Sequence, residues 1–353
     1  MDTFTIKHRH HYVFQAYLKS WATKDQIWCC RNREKCFSTN VLNIAQERDF
    51  YRIKDLNADE EKLVMLILHN QSQEIKTTVK KQMEVYQKPL HWQKAVTAIT
   101  SAVKTSVYKD KTPPPEIQDL FLQADKFSDS AINNMVEDLY SEDEGELITM
   151  IEALKAGNTD FYYHPYHKPN MVFDNTKRAF LFYLCSQHYR TKAAHKRLID
   201  GLNEILKSDM FSQLGINKDN IRPEHVTFHI FWFIEGLLSD TLYERNAHLS
   251  ILSNQTSSPF LTTDQPVINI LADYQDITDM PKDVILYYPL SPTIAITVND
   301  TNKECYIAIS ETEVKKYNDM LTAASFELIF TNSKESDEEY ASNSKGVLNE
   351  HST

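Results

Sequence analysis

Glycine is scarce in this sequence, with 6 in 353 residues. So few leave little room for a Gly-rich phosphate loop or for a fold that needs many left-handed turns. Neither G-x-x-x-x-G-K-[ST] nor G-x-G-x-x-G occurs, which excludes the P-loop and Rossmann fingerprints. Long apolar runs are missing too. No stretch approaches the roughly 18 residues of a membrane span, and Met1-Asp2-Thr3-Phe4-Thr5-Ile6-Lys7-His8 lacks the apolar run of a signal peptide. The expectation is a cytoplasmic protein without a membrane partner. Excess positive charge is also lacking. A net charge of −11 argues against a surface coated for non-specific nucleic-acid binding, though it is compatible with a local basic groove. Cysteines are few and unpatterned. Cys29, Cys30, Cys36, Cys185 and Cys305 give no zinc-ribbon or C-x-x-C spacing. Cys29 and Cys30 would face opposite sides of a strand, so reduced thiols in a reducing compartment are expected.

What is present is an ordinary globular composition, 42% hydrophobic and 25% charged, in a chain long enough to bury a large core. Gln26–Arg31 and Cys36–Val41 read as a strand pair around Asn32-Arg33-Glu34, after a short helix over Tyr12–Ala22. Apolar spacing predicts a long helix from Asp59 to Tyr86 and further helices over 91–108, 115–125, 128–140 and 145–156. An acidic stretch, Glu137 to Glu146, reads as a solvated loop between the last two, although paired carboxylates there suit a divalent ion. One continuous helix is expected over Asn175–Leu206 and another over Pro223–Arg245.

The character then changes to short β-branched and aromatic runs: 249–253, 260–262, 266–270, 284–288, 293–298 and 306–310. A helix over Glu311–Ala324 and a strand over Phe326–Phe330 follow. The class is α+β: a small N-terminal strand pair, a large central helical region and a mainly antiparallel C-terminal sheet. We read one domain over 1–331, divided into a β/α segment at 1–55, a helical middle at 56–248 and a sheet at 249–331. An acidic tail is expected over 332–353.

Several constellations are candidates for chemistry. In His8-Arg9-His10-His11-Tyr12, an extended backbone puts His8 and His10 on one face and His11 on the other. In Ser186-Gln187-His188-Tyr189-Arg190-Thr191, Gln187 and Arg190 are i,i+3 neighbours on a helix. Arg190 suits bidentate contact with phosphate or carboxylate, and Lys192, Lys196 and Arg197 make this the most basic helical segment. Arg190 to His195 also has the R-x4-H spacing of metal-independent ribonucleases of the HEPN type. A continuous helix would place that pair about 140° apart, so the motif needs a helix break. His225 and His229 stand at i,i+4, the spacing that clasps a metal, but without the Glu of H-E-x-x-H. His164-Pro165-Tyr166-His167 is a further pair in a loop. Phe260-Leu261-Thr262-Thr263-Asp264-Gln265-Pro266 ends a strand on a carboxylate, either a turn former or a ligand. Tyr288-Pro289-Leu290-Ser291-Pro292 forms another rigid turn.

Taken in order, four segments resemble the family known as domain of unknown function 4238. They are His10-His11-Tyr12-Val13-Phe14-Gln15-Ala16-Tyr17-Leu18, Gln187-His188-Tyr189-Arg190-Thr191, Phe260 to Pro266, and Pro289-Leu290-Ser291-Pro292. Gln46-Glu47-Arg48-Asp49-Phe50-Tyr51 and the helix of Asn318 fit as well, so the resemblance spans about residues 8–331. Phe14 stands where the family motif has Pro. The resemblance implies that His10, His11, Gln187, Arg190 and Asp264 converge, and it supplies no activity.

Two functions follow from that convergence. The first is a hydrolase of phosphodiesters or nucleotides, nuclease-like, in a toxin or phage-defence setting. His10 or His11 would serve as general base or metal ligand, Asp264 as metal ligand or orienter, and Arg190 with Gln187 and Lys192 as the phosphate grip. A divalent metal on His10 and Asp264 is the cofactor this arrangement allows, and a nucleic acid or nucleotide the partner. The second is a non-catalytic sensor or protein-interaction module, meeting another protein or a second copy of itself. There the same side chains would form a buried polar network. An open pocket lined by these residues marks the first function, and a solvent-free network the second.

Overall fold

The computed structural model describes residues 4–336 apart from 69, 110, 170, 275, 277–280 and 300–303. Most of the expected acidic tail lies outside the described residues. The elements run β1 (Arg9–His11), α1 (Gln15–Leu18), β2 (Gln26–Arg31), β3 (Lys35–Asn40) and β4 (Gln46–Arg48). Then come α2 (Ala58–Ile67), α3 (Gln73–Ser106), α4 (Pro115–Lys155), α5 (Asp160–Tyr163), α6 (Thr176–Tyr189), α7 (Lys192–Ile205), α8 (Met210–Gln213) and α9 (Pro223–Glu244). The chain ends in β5 (His248–Asn254), β6 (Thr262–Thr263), β7 (Ile268–Asn269), β8 (Leu286–Pro289), β9 (Ile294–Asn299), β10 (Tyr306–Ile309), α10 (Glu311–Ala324) and β11 (Leu328–Thr331). The fold is α+β, with an antiparallel-rich C-terminal region as the strand patterning predicts.

Contacts group the chain into two compact units. The first takes the described start of the chain to His10, with Glu47–Glu142 and Ile205–Ile230. The second takes His11–Gln46, Asp143–Glu204 and everything from Phe231 on.

In the second unit, one sheet has the order β10-β5-β9-β8-β7 and another the order β3-β2-β11-β6. All of these pairs are antiparallel except β10, which runs parallel to β5. The N-terminal hairpin therefore does not stand alone: β2 takes the last strand, β11, as its second neighbour. Its turn has Asn32 and Arg33 at φ 52° and 58°, the two left-handed residues of a type I′ turn. Arg33 is held there by a bond from its guanidinium to the Thr322 carbonyl, 2.7 Å away. A core of Cys30, Leu252, Phe260, Tyr287, Ile309, Val314, Leu321 and Ile329 joins both sheets to α10.

In the first unit, a fully buried carboxylate is the fixed point. Glu60 closes the capping box of α2 and takes both arms of Arg222, at 2.8 and 2.7 Å. Those bonds outweigh the desolvation that would raise its pKa, so the net shift is downward.

Helix boundaries depart from the sequence expectation where side chains, rather than Gly or Pro, decide them. The expected Asp59–Tyr86 helix is two helices, because Leu68 leaves the helical region and Ser72 caps a new start by accepting from Ile75 N–H. The second of these, α3, then runs straight through Pro89, where proline removes only one bond of the ladder. The three helices expected over 115–156 are a single helix of 41 residues. The acidic stretch is thus helical rather than an inter-helix loop.

The expected 175–206 helix breaks between Tyr189 and Lys192. Thr191 makes the break: its Oγ1 accepts from Ala194 N–H at 3.1 Å, restarting the chain as α7, and donates to Gln265 Oε1 at 2.5 Å. Replacing Thr191 by Ala removes a buried N-cap and should cost about 1–2 kcal/mol. Urea unfolding would read this as a lower midpoint with unchanged slope, and Thr191→Ser should recover most of it.

Candidate functional site

The pleat of β1 separates the two histidines as expected: His10 is buried and His11 half-buried. In the first unit, His10 Nδ1 accepts the Tyr51 N–H at 2.8 Å and Nε2 donates to the Lys7 carbonyl at 2.7 Å. Its ring stacks on Tyr51 at 5.8 Å and 11°. Burial lowers its pKa, against the raising effect of the Lys7 carbonyl. A neutral imidazole with one donor and one acceptor is the form this arrangement requires, and both nitrogens are engaged by backbone. His8 reaches Asp49 at 2.7 Å.

In the second unit, Arg190 caps α6 and is 1% exposed. Its Nη1 donates to Glu144 Oε1 at 2.7 Å and its Nη2 donates to the His11 carbonyl. It is thus the backbone of His11, rather than the imidazole, that meets Arg190. The His11 ring lies 2.8 Å from Gln15 Nε2.

Ser186 and Gln187 sit one helical turn before Arg190 and so share its face. Glu235 on α9 and Tyr288 on β8 complete the surroundings: the Arg190 charge acts on both, and Asp143 acts on Glu235. Glu235 also acts on Cys185 and Tyr189 of α6. Tyr288 stacks on Tyr17, 4.9 Å away, whose hydroxyl donates to the Pro289 carbonyl at 2.9 Å.

The cluster is buried but incompletely paired. Ser186 Oγ, Gln187 Oε1, both Glu235 oxygens and Tyr288 OH are buried and make no hydrogen bond among the described residues. Burial pushes the Glu235 carboxyl up to about 8, with Arg190 opposing and Asp143 assisting. At neutral pH it is mostly a protonated acid. Burial also raises Glu144, against the pull of Arg190.

Asp264 lies elsewhere in the second unit, fully buried on its own set of donors. Its Oδ1 accepts from Phe326 N–H at 2.8 Å, and its Oδ2 from Glu327 and Leu328 N–H at 2.8 and 3.0 Å. Burial raises its pKa to about 6, and those three amides hold it from going higher. Its carboxylate clasps the chain as it enters β11.

Gln265, which the motif reading passed over, joins four groups. Its amide donates to the carbonyls of His188 and Val267, and its oxygen accepts from Thr191 and Arg197. Lys192 points to Glu327 at 3.3 Å and lies over the rings of Tyr12 and Phe326. It belongs to this latch rather than to Arg190.

The remaining sequence candidates are placed as follows. The break that the Arg190-x4-His195 spacing needs is present, but Arg190 is held by Glu144 and His195 lies against the Phe231 ring at 5.2 Å. His225 Nδ1 donates to the Asp55 carbonyl at 2.7 Å, while burial brings His229 down to about 4. His164 and His167 are exposed. Among the described residues, no group of three or more His, Cys, Asp or Glu is placed to hold a metal ion. No described helix is long and apolar enough to cross a membrane.

The structure thus gathers Arg190, Gln187 and the backbone of His11, and holds Asp264 and Lys192 in a separate latch. The sequence reading had Glu144 only within an acidic stretch and Tyr288 only within a turn, and did not single out Glu235. Glu235 alone left a signal, a single carboxylate inside the apolar run Phe231-Trp232-Phe233-Ile234.

These features define an α+β protein built on buried polar networks. The chain belongs to a family of proteins of unknown function, domain of unknown function 4238, which matches residues 9–335. No curated protein and no solved structure matches it.

Two outcomes follow. Arg190→Ala leaves the Glu144 carboxyl and the His11 carbonyl unpaired inside the protein, and should cost about 3–5 kcal/mol in chemical unfolding. The second is a pH effect. The folded state holds the Glu235 proton up to about 8, whereas an ordinary glutamate releases it near 4.5. The stabilisation is complete below that window and is lost as pH rises through it. Glu235→Gln should therefore flatten the fall in melting temperature between those two pH values, most visibly at the alkaline end.

Proposed function

We propose that the chain is a sensor module that takes up a small phosphate-bearing molecule, a mononucleotide in the simplest case, at the Arg190 cluster. The observation that carries this reading is the combination of burial and unmet hydrogen-bonding capacity. Arg190, Ser186, Gln187, Glu235 and Tyr288 are all buried, yet four of them carry polar atoms without a described partner. A protonated Glu235, Ser186 and Tyr288 each offer an O–H, beside a guanidinium. That donor-rich set suits an anion. Each buried donor left unmet costs about 1–3 kcal/mol, which an accepting ligand would return.

Glu144 is the member nearest solvent, with 21% of its side chain exposed. A phosphate replacing its carboxylate on Arg190 exchanges one anion for another, and releases Glu144 as the element that changes position.

A hydrolase of phosphodiesters is the second reading, favoured by one observation: Glu235 is an acid held protonated near neutrality beside a cation, as a general acid must be. A toxin or phage-defence setting belongs to this reading.

Calorimetry and thermal shift with AMP and with inorganic phosphate separate the two. The sensor reading expects saturable binding, a raised melting temperature and no product, with affinity falling about tenfold in Glu235→Met through loss of one charge-assisted donor. Binding by neither probe would sink it. Cleavage of a dinucleotide by the purified chain, lost in Glu235→Gln, would establish the hydrolase instead.

A further inference from the structure

Outside the Arg190 cluster, the second unit brings a thiol, an imidazole and a phenol together at one sheet edge. His248 opens β5, and Cys305 lies just before β10, its carbonyl accepting the Ile251 N–H at 2.8 Å. The parallel pairing of β10 on β5 fixes this arrangement, since it begins at Tyr306 opposite Ile251. Cys305 Sγ stands 3.8 Å from His248 Nε2.

Tyr163, at the end of α5, meets the same ring and also hydrogen-bonds the Cys305 side chain. Its hydroxyl is 3.1 Å from His248 Nδ1 and 3.0 Å from Nε2. The phenolic hydrogen itself is directed to the Leu249 carbonyl at 2.5 Å, and the oxygen also accepts the Leu249 N–H at 3.1 Å. With its proton donated, Tyr163 meets the imidazole as an acceptor. A His248 that donates Nδ1–H to Tyr163 turns the lone pair of Nε2 towards the thiol. Thiol and base are the two parts that activate a nucleophile, and Tyr163 touches both of them. Cys305, His248 and Tyr163 are each half-buried rather than sealed in the core. Cys29, Cys30 and Cys185 are buried, and only Cys36 shares this intermediate exposure.

We propose that Cys305 is a peroxide-reactive thiol whose base is His248, with Tyr163 as the positioning residue. The Cys305 S–H passes its proton to His248 Nε2. The thiolate attacks one oxygen of a hydroperoxide, forming an S–O bond as the O–O bond breaks. Sulfur is oxidised to sulfenic acid. The peroxide is reduced, and its departing oxygen takes the proton from His248 and leaves as water or alcohol. Cys36, of comparable exposure on β3, is the internal comparison.

The test uses the full chain, reduced, treated with one equivalent of hydrogen peroxide in the presence of a sulfenic-acid trap, with labelled sites located by peptide mass. Cys305, with its thiolate favoured by the imidazole, should be trapped about tenfold faster than Cys36. In His248→Gln and in Tyr163→Phe, the ratio of Cys305 to Cys36 labelling should fall. A merely loosened fold would raise both rates together and leave the ratio near one. Equal labelling of the two thiols in the unaltered chain, a comparison that needs no variant, overturns the proposal. So does a ratio unchanged in a folded His248→Gln.

Discussion

A guanidinium shut away from water dominates the second unit. Arg190 is 1% exposed, and a charge so placed is tolerable only if its donors meet strong acceptors. It obtains a carboxylate from α4 and a main-chain carbonyl from the N-terminal strand. This requirement explains why the backbone at His11 is held in place. A strand as short as β1 has few contacts of its own, and here its His11 carbonyl is needed to satisfy a cation on a distant helix. α6 ends at that residue.

Ending α6 without glycine or proline shifts the work to side chains. Thr191 supplies the new cap, and Gln265 fixes Thr191 by accepting its hydroxyl. Gln265 in turn is aligned by bonds to the carbonyls of His188 and Val267. One residue earlier, Asp264 gathers three successive amides at the entry to β11. Two adjacent side chains thereby connect the helix break to the strand that carries the N-terminal hairpin. The motif is a joint in the framework, and it sets the position of Arg190 without touching the guanidinium.

Much of the architecture was legible because it rests on local signals. The turn residues Asn32-Arg33-Glu34 marked β2 and β3, and short β-branched and aromatic runs marked the C-terminal strands. Breaks and continuations were harder, since they depend on partners far along the chain. Nothing near Thr191 announces that Gln265 will hold it. Pro89 and the acidic run at 137–146 look like interruptions, but tertiary packing carries α3 and α4 through them. The candidate site was half legible for the same reason. Arg190 and Gln187 advertise themselves by chemistry and spacing. Glu144 was hidden in a crowd of exposed-looking acids, and Tyr288 among the aromatics of a strand. Asp264 and Lys192 carried the right chemistry and had other partners.

The unusual member of the cluster is Glu235. Glu60 shows what this chain does with a carboxylate that must be buried and charged: it surrounds it with Arg222 and backbone amides until its pKa falls. Asp264 shows the intermediate case, three amides that restrain a rise caused by burial. Glu235 receives neither treatment. It lies inside an apolar helix face, within reach of the Arg190 field but without a bond to it, and is left to hold a proton to about 8. A glutamine or methionine there would avoid the cost of ionisation altogether. A carboxyl differs from either in that it can donate a strong hydrogen bond when protonated and become an anion when it is not. Retaining that capacity next to a guanidinium already paired with Glu144 gives the cluster two acids competing for one cation. The balance between them is therefore sensitive to any third anion that arrives.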